Sequence, residues 1–119
     1  MAVRYGFYTE APNNFYESVH FLSISPKTEP VGGEMLQAKD RSGTPKWVVS
    51  AVVKYGKQPT DTENFTLIAP VEVAEAIKQI RELTPIKLVG LAKGKWTREG
   101  STETYWSFSI KGVEPIKNG

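Results

Sequence analysis

The sequence predicts a mostly-β domain with one helix, in the order three strands, helix, two strands, behind an N-terminal aromatic arm. Three observations carry this. Residues 46–55 are dense in β-branched and aromatic side chains, with Trp47, Val49, Ala51, Val53 and Tyr55 alternating against Lys46, Val48, Ser50, Val52 and Lys54. Residues 70–84 repeat Val73, Ile77, Ile80 and Thr84 at the spacing of one helical face, between Pro70, which can open a helix, and Pro85, which ends one. Residues 104–113 alternate again, with Trp106, Phe108 and Ile110 opposite Tyr105, Ser107, Ser109 and Lys111.

Taken in order, residues 1–33 form the arm. They carry Tyr5, Phe7, Tyr8, Phe15, Tyr16 and Phe21, are broken by Pro12, Pro26, Pro30 and Gly32-Gly33, and hold at most short strands packed on the rest, one of them at 21–25. The barrel proper is expected over residues 34–113. Its first strand, 34–39, runs into the turn formers of 40–45. The second is 46–55, with its odd positions facing the core. After a loop at 56–62, the third strand, 64–69, puts Phe65, Leu67 and Ala69 on one face. In the helix, Glu72 and Glu75 lie early and Lys78 and Arg81 late, which complements the helix dipole. A fourth strand at 86–92 and a fifth at 104–113 flank a polar, glycine-containing loop at 93–103. Residues 114–119 make a short tail.

Length and composition suit one domain: 119 residues, 39% hydrophobic and 24% charged. No apolar run approaches the ~20 residues of a membrane span. Residues 1–9 show no secretory pattern, so a cytoplasmic location is expected. The chain has no cysteine, which removes disulfides, thiolate zinc sites and thiol catalysis. His20 is the sole histidine, no phosphate-loop or dinucleotide fingerprint occurs around Gly32-Gly33 or residues 94–100, and Asp61 and Glu63 read as solvated loop acids. Neither a metal nor a cofactor is expected, and the chain does not read as an enzyme.

The net charge is only +2, but its distribution is uneven. Residues 39–57 carry five bases (Lys39, Arg41, Lys46, Lys54, Lys57) against Asp40, and residues 87–98 carry Lys87, Lys93, Lys95 and Arg98 with no acid. Acids prevail between the two blocks. Should the blocks meet in space, they make a cationic face suited to a polyanion.

The order of three strands, helix and two strands over residues 34–113 resembles the five-stranded Greek-key barrel called the OB-fold. That resemblance implies a binding surface on strands two and three with the loops joining strands one to two and four to five, here 40–45 and 93–103, and both basic blocks fall on those elements. Among OB-fold families the chain looks most similar to small accessory single-stranded DNA-binding proteins of plasmids and phages. It departs from the housekeeping type, whose long tail has an acidic tip, because it ends Val113-Glu114-Pro115-Ile116-Lys117-Asn118-Gly119; partner recruitment through such a tail is not expected.

Single-strand binders combine cations that follow phosphates with aromatics on which bases stack. The nucleic-acid-binding residues expected here are Arg41, Lys46, Lys54, Tyr55, Lys57, Lys87, Lys93, Lys95, Trp96, Arg98 and Tyr105. Trp96, among Lys93, Lys95 and Arg98 in a polar stretch, either stacks on a base or folds back to cap the barrel. Tyr55 stands equally between base stacking and hydrophobic-edge packing. Trp47 and Trp106 read as core by their same-face partners. The ligand is then single-stranded DNA, or RNA, bound with little sequence preference. An alternative is a protein-interaction or assembly module that forms a homo-oligomer through the aromatic arm.

Overall fold

The computed structural model describes residues 3–10, 16–98 and 104–116. The chain is mostly β with one helix. Its strands are β1 (Val3–Glu10), β2 (Ser18–Pro26), β3 (Thr28–Val31), β4 (Glu34–Gln37), β5 (Lys46–Lys54), β6 (Asp61–Ile68), β7 (Ile86–Val89), β8 (Ala92–Arg98), β9 (Thr104–Ile110) and β10 (Gly112–Pro115), with helix α1 (Val71–Lys78) between β6 and β7. Six strands form one sheet in the order β1-β8-β9-β6-β5-β2, while β7 pairs with β10 and β3 with β4.

β5 forms the centre of the core for the reason its alternation predicts. Val49, Ala51 and Val53 are buried to 1% exposure or less, and the register sets Trp47 beside Leu67 and Val49 beside Phe65 on β6. Trp47 is half-buried and spends its only polar group on the carbonyl of Ala69 at 2.9 Å, as a largely covered indole must. From β6 the chain passes through α1, β7 and β8 before β9 returns parallel to β6, with Thr66 beside Ser109 and Leu67 beside Ile110.

Several sequence expectations need correction. The strand expected first in the barrel, 34–39, instead ends at Gln37 and pairs with Thr28–Val31 in a separate hairpin. Its turn, Gly32-Gly33, has φ of 58° and 86°, the doubly positive geometry that suits a tight two-residue hairpin and that glycine adopts without strain. The position beside β5 belongs to β2, from the segment read as an arm, and β1 from that same segment is the opposite edge strand. Leu22 is an extra residue in β2: Phe21 aligns with Ala51 and Ser23 with Ser50. That bulge reverses the alternation, so Val19 and Phe21 before it and Ile24 after it all pack on the core.

The helix is shorter than its pattern, ending at Lys78 instead of near Thr84. Ala74 and Ile77 are its buried residues. Beyond it, Ile80 bonds back to Ile77 in a tighter turn, and the N–H of Leu83 goes to the carbonyl of Phe21 at 2.6 Å instead of continuing the helix. Thr84 returns a bond, its carbonyl accepting from Phe21 N–H at 2.9 Å, and His20 bridges to Pro85. The edge of β2 away from β5 is thereby met by the chain entering β7.

The expected fourth strand, 86–92, divides into β7 and β8 at Gly90, and the expected fifth, 104–113, divides into β9 and β10 at Lys111. β8–β9 and β7–β10 are two halves of one bent hairpin whose arms turn the same corner together. The loop expected at 93–103 is strand β8 as far as Arg98, held on both sides by β1 and β9.

Candidate functional site

The face of β5 opposite the core presents Lys46, Val48, Ser50, Val52 and Lys54, all partly exposed. Their register partners extend it into a surface of hydroxyls and amides. One row runs Ser25, Val48, Thr66 and Ser109; the next sets Ser23, Ser50 and Asn64 side by side. Ser50 Oγ donates to Asn64 Oδ1 at 2.6 Å across the strands. No charged residue occupies the middle of these rows. Cations stand at the ends of β5, about 27 Å apart at the rise of an antiparallel strand.

At the Lys46 end, Lys27 joins the face. Its Nζ donates to Thr66 Oγ1 at 3.0 Å, and its ammonium pKa is lowered by burial first and by the neighbouring Lys46 charge second, with Glu29 opposing weakly. Arg41 lies in the exposed turn leading into β5. Asp40 Oδ1 builds that turn by accepting from Ser42 N–H at 2.9 Å, Ser42 Oγ at 2.8 Å and Thr44 N–H at 2.9 Å, and these bonds hold its carboxyl below the ordinary range.

At the other end, Tyr55 follows Lys54 and Lys57 lies beyond it in an exposed loop. Tyr55 packs edge-on against Tyr16 with centroids 6.0 Å apart, yet keeps 46% of its surface exposed, so it joins a hydrophobic edge and still offers surface to a ligand. Tyr16 continues the cluster inward to Phe65 at 6.0 Å and Phe108 at 6.3 Å. Its phenol is pushed well above the ordinary tyrosine range, by burial first and then by Glu63 and Tyr55. Burial likewise raises the Glu63 carboxyl.

The second basic block divides. Lys87 lies on β7, outside the six-stranded sheet, opposite Glu114 of β10, where an opposite charge is its natural neighbour. Lys93 is on β8, half-buried and in register with Phe108. For Lys95, Trp96, Arg98 and Tyr105 the backbone is described and the side chains lie outside the described residues, as do those of Trp106 and of the arm's Tyr5, Phe7, Tyr8 and Phe15. The register aligns Gly6, Trp96 and Tyr105 in one row and Phe7, Lys95 and Trp106 in the next. Trp96 is therefore a strand residue, not the loop residue expected. β8 is three strands from β5, about 14 Å at ordinary strand spacing, so the two blocks share a sheet without being adjacent.

Sequence reasoning missed Lys27 and the hydroxyl rows. The rows had a signal: once Phe65 and Leu67 are set inward, Asn64 and Thr66 must point outward with Ser50. Lys27 had none, because its place depends on the β2 bulge and on the hairpin that follows. Among the described residues no three histidine, cysteine or carboxylate side chains gather as a metal site, and no helix is long and apolar enough to cross a membrane. The chain matches no protein-family model, no curated protein and no solved structure.

Proposed function

We propose that this chain is an OB-like barrel that binds single-stranded nucleic acid, DNA in the first instance, with little sequence preference, as a cytoplasmic accessory protein of plasmid or phage type. The strand order supports the architectural part. Read from β2, the sheet runs β2-β5-β6-β9-β8, with its one parallel pair between the third and last strands of that set and the helix after the third. The bridge from His20 to Pro85 brings the β2 edge toward the strand that continues into β8, the closure a small barrel needs.

The observation that carries the functional part is the outer face of β5 and β6. Its rows of Ser23, Ser50, Asn64, Ser25, Thr66 and Ser109 bear no acid, and lysines stand at both ends. A backbone of phosphates and sugars finds hydroxyl and amide partners along such a surface, attraction from the cations, and no like charge to repel it. Val48 and Val52 between the hydroxyls offer apolar surface to base faces.

Amide chemical-shift mapping during titration with an oligothymidylate tests this. Shifts concentrated at residues 46–54 and 62–68 are expected. Shifts confined to β7, β10 and α1, with β5 and β6 silent, would refute the assignment of the face.

A second reading rests on β1. It ends the sheet, and among the described residues no strand pairs with its outer edge, so a second copy could add there. Light scattering on the full chain and on a chain lacking residues 1–10 distinguishes an edge-paired oligomer from a monomer.

A further inference from the structure

We propose that Lys27, Lys46 and Thr66 form a seat for one phosphate oxyanion, at the corner where the β3–β4 hairpin leaves the sheet. This deepens the reading above, on which it rests in taking the phosphate to be a phosphodiester of the bound strand.

The backbone fixes Lys27 before its side chain is considered. Its N–H donates to the carbonyl of Lys46 at 3.0 Å, and its own carbonyl accepts from Ala38 N–H at 2.7 Å, so the residue is clamped between β5 and the stem of the hairpin. From there the side chain reaches β6 and ends on Thr66 Oγ1 at 3.0 Å. Lysine gives up more rotamer freedom than most side chains when ordered, and an ammonium brought half out of water prefers a carboxylate in exchange. This one receives a neutral hydroxyl and a second lysine. Among the described residues neither Lys27 nor Lys46 has a carboxylate in ion-pair contact. Glu29 and Asp40 act on Lys27 and Lys46 respectively through charge without ion-pair contact, and the Asp40 oxygen with hydrogen bonds is committed to Ser42 and Thr44.

Two ammonium groups held near each other, with no carboxylate among the described residues in contact with either, are an arrangement that a bound anion relieves. Lys27 and Thr66 supply the fixed donors, and Lys46 shares their face of the sheet. An ammonium has three N–H groups, of which Thr66 takes one from Lys27, and the Thr66 hydroxyl, accepting from Lys27, keeps its own proton to donate. A phosphate at this corner would therefore receive hydrogen bonds from two ammonium groups and one hydroxyl. Being tetrahedral and anionic, it suits that set better than a planar carboxylate, which two forked guanidinium donors would favour.

The test compares the wild type with Lys27→Met, Lys46→Met and, as a remote control, Lys78→Met on α1, titrating each with a labelled oligothymidylate at several salt concentrations. Lys27→Met and Lys46→Met should each weaken binding about tenfold, the effect of losing one hydrogen bond to a charged group. Each should also make the slope of log affinity against log salt shallower by about 0.7, one phosphate contact of a single strand. Lys78→Met should leave both unchanged. Lys27→Met should melt no lower than the wild type, because it removes a half-desolvated charge. An affinity unchanged in both seat variants overturns the seat and leaves the strand-binding reading standing. So does a Lys27→Met protein whose lost affinity is matched by a lowered melting temperature and whose Lys46→Met counterpart binds normally. If the wild type binds no oligonucleotide, that reading fails by itself, and the seat is then judged by inorganic pyrophosphate. Shifts of the Lys27 and Lys46 side-chain signals that saturate support an oxyanion site, and their absence overturns it.

Discussion

Gly90 and Lys111 meet at the corner where both arms of the bent hairpin turn: a Cβ added to Gly90 would lie 2.8 Å from Cγ and Cδ of Lys111. Gly90 also has φ of 65°, and the N–H of Lys111 bonds the carbonyl of Val89 at 2.7 Å, which holds the two turns in step. Gly90→Ala should therefore cost about 1–2 kcal/mol from the left-handed backbone alone. The double variant with Lys111→Ala should recover only the steric share beyond that. Denaturant midpoints of the two single variants and the double variant measure this coupling, and strict additivity would show that the side-chain approach is not felt.

Trp47 lies in the cross-strand row of Leu67 and Ile110 and has a more conventional role. Trp47→Phe keeps most of the packing but leaves the Ala69 carbonyl without its indole donor, an expected loss of about 1–2 kcal/mol. Phe65→Ala, at a position 1% exposed, should cost more, about 3–5 kcal/mol, a large share of the ~5–15 kcal/mol of an ordinary domain. Chemical denaturation ranks the two, and a smaller loss for Phe65→Ala would misplace the core.

The inward faces were legible because they obey one period throughout. Val49, Ala51 and Val53, then Phe65 and Leu67, are buried as strand parity requires. What was hidden were the places where the period is interrupted. The bulge at Leu22 turns Phe21 and Ile24 to the same side, so the alternation gave only a short strand at 21–25 and not the full length of β2. Gly90 and Lys111 cut two long strands at a corner that only the fold defines. β8 escaped notice because Lys93, Lys95 and Arg98 give it a loop's composition, while β1 and β9 satisfy its backbone as they would any strand's. At the site, Lys46, Lys54 and Tyr55 could be named from the strand alone, whereas Lys27 reaches Thr66 across 39 positions of sequence.

Tyr16 gives a pH prediction. Its phenol pKa is raised in the folded protein above the ordinary 10.0, chiefly by burial, so the unfolded chain releases that proton first. The stability contributed by the neutral phenol is present in full below pH 10 and is lost as pH climbs from there toward the folded value. Tyr16→Phe should flatten this part of the stability profile relative to the wild type. Equal alkaline slopes for both proteins would show that Tyr16 titrates normally.

The strand-binding role proposed for Trp96 is separable by truncation from a role in the fold. The backbone of Trp96 is in register with Tyr105 on β9 and Gly6 on β1. Trp96→Ala should cost about 1–3 kcal/mol of affinity while the melting transition survives. A variant that melts early and binds normally in its folded fraction would assign the indole to the fold.

The central claim, that the β5–β6 face takes a single strand, is tested most directly by fluorescence anisotropy with matched single-stranded DNA, single-stranded RNA and duplex DNA at low and moderate salt. Tighter binding of the single strands than of duplex is expected, with log affinity falling against log salt at a slope of roughly −2 to −3, as three or four neutralised phosphates require. No binding at micromolar protein in low salt, or an affinity indifferent to salt, would contradict it.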